Sequence, residues 1–281
     1  MQKRRILFVN QEISPFSKET EISKFAHDLP EYIQSHKDKD TKEGREIRTF
    51  MPRYSYVHEI KNQLHEVIRL SGMNLIINTI DHQLIIKVGS MPKSKTQVYF
   101  VDNDEYFADR ESIRDEQGVF FPDNDERMMF FNRGSLEAVR KLAWKPNLIH
   151  TNGWFASMIP FYIRRFNKED IFFNGTKIVV SIFGSDAFDE QFSDLMEKKL
   201  RHEGATAKDR LLYGGRDYIS TMRTAITYAH GIVIASPNAD KQLVEYAKAN
   251  KKNVLEYNPN TDEFFRQINK FYDVVIGSGK K

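Results

Sequence analysis

Short, uninterrupted apolar runs recur along the chain, separated by polar segments or by segments with helical periodicity. Runs of this length, rich in β-branched residues, are typical of strands buried on both faces of a parallel sheet. The predicted strands are residues 6–9, 47–52, 147–150, 177–183 and 231–235. Because helical segments separate these strands, the pattern predicts an α/β fold built on a doubly wound, mostly parallel sheet.

The predicted helices follow from apolar residues spaced three and four apart and from end signals. The first helix buries Ile22, Phe25, Ala26 and Leu29, and the next covers residues 124–142, with Asp123 and Glu126 as a capping box. A third helix follows Trp154 and bends at Pro160, and a long helix runs through Leu211, Ile219, Met222 and Ile226. The last helix begins with Ser236 as N-cap and Pro237 as its first residue.

Residues 66–101 depart from this alternation. Gly, Asn, Asp and Pro separate strand-like runs at residues 67–70, 75–77, 84–88 and 98–101, which predicts a β-rich insertion. The mixed-charge residues 36–45 predict a solvated linker. We expect one domain over residues 1–281, with this insertion and without internal repeats.

Composition and charge exclude several classes of function. The chain carries 42 Lys and Arg against 39 Asp and Glu, a net charge of +3, which argues against a dedicated binder of nucleic acid or anionic membranes. It has no cysteine, so disulfides, thiolate metal sites and cysteine nucleophiles are excluded. No apolar run is long enough for a signal peptide or a membrane span. We therefore expect a cytoplasmic protein.

Ligands of doubly wound sheets bind beyond the carboxyl ends of the strands. Here the loops at residues 10–20, 150–154, 183–186 and 236–240 qualify. The chain has neither a Gly-x-Gly-x-x-Gly nor a Walker A motif, and no metal-binding histidine pattern, so we predict no cofactor and no metal. His150 either contributes to a site or bonds a loop backbone, and Trp154 offers either a sugar-stacking face or core filling.

Six motifs, in a fixed order, then point to a family. They are residues 5–18 (RILFVNQEISPFSK), 51–54 (MPRY), 98–107 (VYFVDNDEYF), 121–131 (FPDNDERMMFF), 144–150 (WKPNLIH) and 229–237 (AHGIVIASP). Together they resemble the N-terminal half of the bacterial glycogen synthases and plant starch synthases. The resemblance implies a Rossmann-like domain, the first half of a two-domain GT-B fold, in a retaining enzyme that transfers glucose from ADP-glucose to α-1,4-glucan.

The same resemblance implies substrate-binding positions, several of them altered. The family motif K-T-G-G, which holds the phosphates of ADP-glucose, is here Lys18-Glu19-Thr20-Glu21, and H-x-H-D-W is His150-Thr151-Asn152-Gly153-Trp154. One histidine, the aspartate and both glycines are therefore replaced. The candidate substrate-binding residues are Lys18, Arg127, His150, Asn152 and Trp154.

Only 44 residues follow Pro237, too few for the second GT-B domain. We therefore expect a glucosyltransferase domain that is inactive alone or depends on a separate chain carrying that domain, with α-glucan and ADP-glucose as ligands. The alternative is a non-catalytic glucan-binding or regulatory module, which predicts exposed aromatic side chains along the cleft, with Phe16, Trp154 and Phe183 as candidates. A different small ligand in a remodelled cleft is the third hypothesis.

Overall fold

The computed structural model describes residues 4–36, 44–92 and 94–277. Most of the predicted linker at residues 36–45 lies outside them. In chain order the elements are β1 (Arg4–Asn10), α1 (Glu21–Ser35), β2 (Arg45–Pro52), β3 (His65–Glu66), β4 (Met73–Ile77), β5 (Ile80–Ser90), β6 (Gln97–Asp102), a π-helical turn (Asp104–Ala108), α2 (Asn124–Lys141), β7 (Leu148–Asn152), a 3-10 turn (Trp154–Ala156), α3 (Met158–Phe166), β8 (Lys177–Ile182), α4 (Met196–His202), α5 (Ala207–Leu212), α6 (Tyr218–Tyr228), β9 (Gly231–Ile234), α7 (Lys241–Ala249), β10 (Asn253–Leu255) and α8 (Thr261–Gly277).

The described strands form one sheet in the order β10-β9-β8-β7-β1-β2-β6-β5-β3, and β4 pairs with β5. All neighbours from β10 to β6 are parallel, whereas β5 is antiparallel to β6, β3 and β4. This confirms the doubly wound, mostly parallel sheet. Strand order reverses at β1, so the switch point lies between β1 and β7.

Helices cover both faces of the sheet, as buried runs in parallel strands require. On one face, Ile6 and Phe8 of β1 pack with the apolar sides of α1 and α8. On the other face, Leu7 and Val9 pack with α2, α3 and α6. Among the residues described, no helix has the length and apolar content that a membrane crossing requires.

The predicted insertion is smaller than expected. Its last run is β6, a parallel strand of the main sheet beside β2, and only β3, β4 and β5 form the antiparallel addition. The strand predicted at residues 67–70 is wrong: the chain turns there, with Leu70 N–H donating to the Val67 carbonyl at 2.8 Å. The only side chain of this turn that is fully buried is Leu70.

Two predicted helix boundaries are wrong because local hydrogen bonds select other residues. The long helix is split into α5 and α6 by a loop with Gly214 and Gly215, and Asp217 caps α6 by accepting from Ser220 N–H at 2.7 Å. The next helix begins at Lys241, since Asp240 rather than Ser236 is its N-cap.

Helix α2 begins where the sequence predicts, but without the predicted capping box. Asp123 holds the N-cap position and makes no capping hydrogen bond, because its carboxylate pairs with Arg110. Pro160 lies in the first turn of α3, where its missing N–H breaks no helical hydrogen bond. The predicted bend has no cause at that position.

Candidate functional site

The crevice at the switch point begins where β1 and β7 end. Asn10 and Asn152 are opposite each other in the parallel register, and Asn152 Nδ2 donates to Asn10 Oδ1 at 2.7 Å. Asn10 Nδ2 in turn donates to Thr49 Oγ1 of β2 at 2.7 Å. All three side chains are buried. The floor of the crevice is therefore a row of neutral hydrogen-bonded groups across three strands.

The loop that follows β7 is held by hydrogen bonds from two sides. Trp154 N–H donates to Asp186 Oδ2 at 3.0 Å, and Phe155 N–H donates to Gln11 Oε1 at 3.3 Å. The other Asp186 oxygen accepts from the Tyr218 hydroxyl at 2.9 Å. Burial raises the pKa of Asp186 to about 6, against the lowering effect of these hydrogen bonds. Asp186 thus ties β7 to the β8 loop and to α6.

Trp154 fills the core and does not line the crevice. Its side chain is fully buried, with ring centroids 4.8 Å from Phe188 and 5.6 Å from Phe192. Phe16 and Phe183 are also buried. The predicted row of exposed aromatic side chains along the cleft is therefore wrong, and the choice left open for Trp154 is decided in favour of core filling.

His150 lies two residues before Asn152 in β7, so both side chains are on the same face of the strand. Its Nδ1 is 2.6 Å from the Tyr272 hydroxyl of α8, and its Nε2 is 2.7 Å from Ser181 Oγ of β8. Burial lowers its pKa to about 3, so the ring is neutral at physiological pH. The structure therefore places His150 beneath α8 rather than in the crevice.

Arg127 extends from α2 into the core and supports the loop between β6 and α2. Its guanidinium donates to the carbonyls of Tyr106 and Ser112, both at 2.8 Å, and to Asn124 Oδ1 at 2.6 Å. Burial lowers its pKa to about 10, so it keeps its charge at neutral pH. Within the described residues, Arg127 Nη2 has no hydrogen-bond partner, and neither has Asn152 Oδ1.

Lys18 is the one predicted site residue with an exposed side chain. It is 84% exposed, and its Nζ is 3.6 Å from a carboxylate oxygen of Glu111, itself 61% exposed. The segment after it starts α1: Thr20 is the N-cap, its hydroxyl oxygen accepts from Ser23 N–H at 3.0 Å, and its own N–H donates to the Ser23 hydroxyl oxygen at 2.8 Å. The residues in place of the two glycines thus build a helix start.

Two acidic residues of the crevice were absent from the predicted site. Glu12 is half-buried, accepts from the Thr20 hydroxyl, and has a raised pKa because of burial and the nearby Asp186 carboxylate. Asp186 also lies within electrostatic reach of Glu21. Glu12 belongs to the first motif and Asp186 follows a predicted strand, but their convergence could not be predicted from spacing. No group of three or more His, Asp or Glu suited to a metal occurs among the residues described.

Comparison with known proteins decides the family. The family model of the starch synthase catalytic domain matches residues 5–256. The chain belongs to this family. It is a domain of the starch synthase catalytic type, as the motifs imply.

The relatives and the solved structure that this starch synthase-family domain matches are longer than the domain itself. It is 29% identical to a glycogen synthase of Chlorobium luteolum, over 94% of this chain and 56% of that protein. A glycogen synthase of Chlorobaculum parvum is 30% identical over 85% of this chain and 47% of its own length. The catalytic domain of starch synthase IV from Arabidopsis thaliana, bound to ADP and acarbose, superimposes with a TM-score of 0.67 at 14% identity, over 91% of this chain and 51% of that one.

The chain therefore spans about half the length of the glycogen synthases it matches. The superposition supports the fold, a GT-B type α/β domain. The expected single domain over residues 1–281 and the expected substrate contacts stay predictions.

Proposed function

We propose that this domain supplies one half of the cleft of a cytoplasmic glucosyltransferase, which moves glucose from ADP-glucose to an α-1,4-glucan. The domain by itself is inactive, and a second GT-B domain completes the donor site. The family match over residues 5–256 supports the reaction class. The dependence on a second domain is supported by the acidic residues of the crevice.

The charges at the crevice disfavour a diphosphate. Asp186 lies within electrostatic reach of both Glu12 and Glu21, whereas Lys18 is exposed and pairs with Glu111. Two like unit charges 4 Å apart repel by about 1 kcal/mol in water and about 4 kcal/mol at an effective dielectric of 20. A nucleotide sugar therefore needs cationic or backbone donors that another domain brings.

Of the five candidate residues, we propose that Lys18 alone contacts the substrate, when the two halves of the cleft come together. Asn152 forms part of the crevice floor, and Trp154 holds the loop after β7 through its hydrogen bond to Asp186. Arg127 supports the loop beside it, and His150 holds β7 against α8. Their effects on binding are therefore expected to follow from positioning.

A glucan-binding role without catalysis is the second candidate, and Tyr56, which lies within electrostatic reach of Glu12 at the crevice, favours it. Tyr56 is half-buried, with its ring centroid 5.5 Å from that of Tyr54, and its hydroxyl interacts with the Ser17 side chain. Aromatic faces and hydroxyl groups side by side suit a sugar, which has both apolar faces and hydrogen-bonding edges.

Calorimetric titration of the chain with ADP-glucose and with a maltooligosaccharide tests both candidates. We expect glucan binding and no sub-millimolar donor binding. The Lys18→Ala variant is expected to weaken binding of the ligand at the crevice, whereas Lys24→Ala, which removes an exposed lysine of α1 paired with Glu19, leaves it unchanged. Sub-millimolar donor binding by the chain alone would contradict the need for a second half.

The glucosyl transfer itself is tested by adding a second GT-B domain. We expect no transfer of labelled glucose from ADP-glucose to glycogen by this chain alone. Transfer should appear when the chain is co-expressed with the part of the Chlorobium luteolum glycogen synthase that it does not cover. Glucan binding without transfer in any combination would favour the non-catalytic module, and binding of neither ligand would exclude both candidates.

A further inference from the structure

A cluster of cationic residues lies at the edge of the sheet opposite the crevice. Lys177 opens β8, His230 immediately precedes β9, and Lys252 immediately precedes β10. Arg164, in the last turn of α3, and Lys168, just beyond it, complete the group. We call these five residues the basal cation cluster. Because parallel strands all begin at this edge, the cluster is separated from the candidate site by the length of the strands.

Four of these five residues line a small cavity. Its volume is about 140 Å³, and its lining includes Arg164, Lys168, Lys177 and His230, with Glu169 as the one acidic residue. The loop beside it passes through Gly175, which has a φ of +84° and no atom within 4 Å of the position that a Cβ would occupy. A cavity of this size suits one phosphate group rather than an extended polymer.

The positive charges of the cluster lack counter-ions within the described part of the chain. Arg164, Lys168 and Lys177 form no ion pair or side-chain hydrogen bond there. Lys252 is different, because its ammonium group donates to the carbonyls of Thr227 and Ala229 at 2.7 and 3.0 Å. Lys252 therefore caps the end of α6, a structural role that the other three cations do not share.

The histidine of the cluster presents a donor. Ile178 N–H donates to His230 Nδ1 at 3.1 Å, so the proton of the neutral ring must reside on Nε2. No hydrogen bond occupies that nitrogen among the residues described. The backbone pairing of residues 178 and 230 at 2.8 Å fixes the ring in place. A rigid N–H donor thus adjoins three cationic side chains.

Like charges also act on one another here. The pKa of His230 is lowered to about 4, first by burial and then by the positive charges of Lys177, Arg164 and Lys252. Burial and the charge of Arg164 lower the pKa of Lys252. An anion in the cavity would relieve this repulsion and would favour protonation of His230.

We propose that the basal cation cluster binds the phosphate group of a small metabolite such as a sugar phosphate. Arg164, Lys168 and Lys177 supply charge-assisted hydrogen bonds, and His230 Nε2 supplies a neutral one. Arginine suits a phosphate because its planar fork can donate two parallel hydrogen bonds. This site is independent of the glucosyltransferase function proposed above, because it uses none of the crevice residues.

The test compares two double variants with the same change in charge. Arg164→Gln with Lys177→Gln removes two cations from the cavity, whereas Lys198→Gln with Arg201→Gln removes two exposed cations of α4. Calorimetric titrations use inorganic phosphate and glucose 1-phosphate at low, matched ionic strength, since salt screens such contacts. We expect saturable binding to the wild type, weakened at least about tenfold in the first variant and unchanged in the second.

A second measurement uses the wild-type chain alone. The ring signals of His230 in NMR spectra are expected to shift saturably with phosphate. Binding of glucose 1-phosphate but not of phosphate would mean that the sugar contributes, and still supports the site. Absence of saturable binding, equal weakening in both double variants, or adsorption to anionic phosphatidylglycerol vesicles without phosphate binding would overturn the proposal.

Discussion

At the end of β7, Asn152 and Gly153 occupy the positions that hold His and Asp in the family motif. The Asn152 amide donates to Asn10, and an amide has no proton that titrates near neutral pH. Gly153 adopts a φ of +84° and a ψ of 152°, a conformation that is essentially confined to glycine. Asn152 therefore contributes to a neutral crevice floor, and Gly153 permits the tight turn that follows it.

We expect Gly153→Ala to destabilise the domain by about 1–3 kcal/mol because of this backbone conformation. The new Cβ would also lie 2.7 Å from Gln11 Cβ. Gly175→Ala is the control, since Gly175 has the same φ of +84° with no atom within 4 Å. Urea unfolding should give the larger loss for Gly153→Ala. Equal losses would mean that the contact with Gln11 has no cost.

His150 gives a pH-dependent stability with a defined sign. Because its pKa is about 3 in the folded state and about 6.5 when unfolded, the unfolded chain alone binds this proton between those values. The free energy of unfolding therefore falls as pH drops below about 6.5, by up to about 1.4 kcal/mol per pH unit.

The His150→Gln variant removes this proton linkage. At pH 7.5 we expect it to be less stable than the wild type by about 1–3 kcal/mol, because buried hydrogen bonds are disturbed. At pH 5 the difference should shrink by about 2 kcal/mol, since only the wild type has lost stability through this histidine. His230 titrates in both proteins and cancels in the difference. A gap that stays constant from pH 7.5 to pH 5 would contradict the assignment.

At the scale of elements, α8 is the longer of two helices that the sequence analysis did not assign, the other being α4. Its apolar face packs on α1 and on the sheet: Phe265 has ring centroids 5.8 Å from Phe25 and 5.7 Å from Tyr32. Its Tyr272 covers His150. The periodicity was visible, with buried residues Phe264, Phe265, Ile268, Phe271, Tyr272 and Val275 on one side. The helix therefore closes one face of the sheet.

We expect Phe265→Ala to cost about 3–5 kcal/mol, the range for removing a buried aromatic ring. The control is Val274→Ala on the same helix, whose side chain is 58% exposed and whose loss should stay within about 0.5 kcal/mol. Both are measured as midpoints of urea unfolding at constant m-value. A small loss for Phe265→Ala would mean that α8 is not needed to hold α1 on the sheet.

At the scale of the whole molecule, one sheet connects the described strands from β10 to β3. The predicted insertion is part of it, because β6 pairs with β2 and with β5. The crevice lies at one edge of the parallel strands and the basal cation cluster at the other. A ligand at either edge therefore meets side chains fixed by the same sheet.

A continuous sheet predicts cooperative unfolding of the entire chain. We expect one calorimetric transition whose van't Hoff and calorimetric enthalpies agree. Fluorescence of Trp144 and Trp154 should change at the same temperature as the far-ultraviolet circular dichroism. Two separate transitions would contradict the single domain that the sequence predicts over residues 1–281.

Local signals were sufficient for β1, β2, β7, β8 and β9, because burial on both faces leaves a continuous apolar run. They did not indicate the edge strand β10, whose residues are exposed or half-buried. Local signals were insufficient where two residues could serve as the N-cap of the same helix. Ser236 and Asp240 both suit an N-cap, and only Asp240 accepts hydrogen bonds from the first turn of α7. Such competition depends on the tertiary position of the loop.

The sequence by itself determined the alternation of the main buried strands with helices, and it determined the family, since both are written in short, contiguous patterns. Only the tertiary structure decided which polar residues face the crevice. Strand alternation puts His150 and Asn152 on the same face of β7, but Tyr272, which is 122 positions further along the chain, covers His150. Likewise, Glu12 and Asp186 meet through the packing of separate loops. Coverage and convergence arise from contacts between distant segments, which a local pattern does not encode.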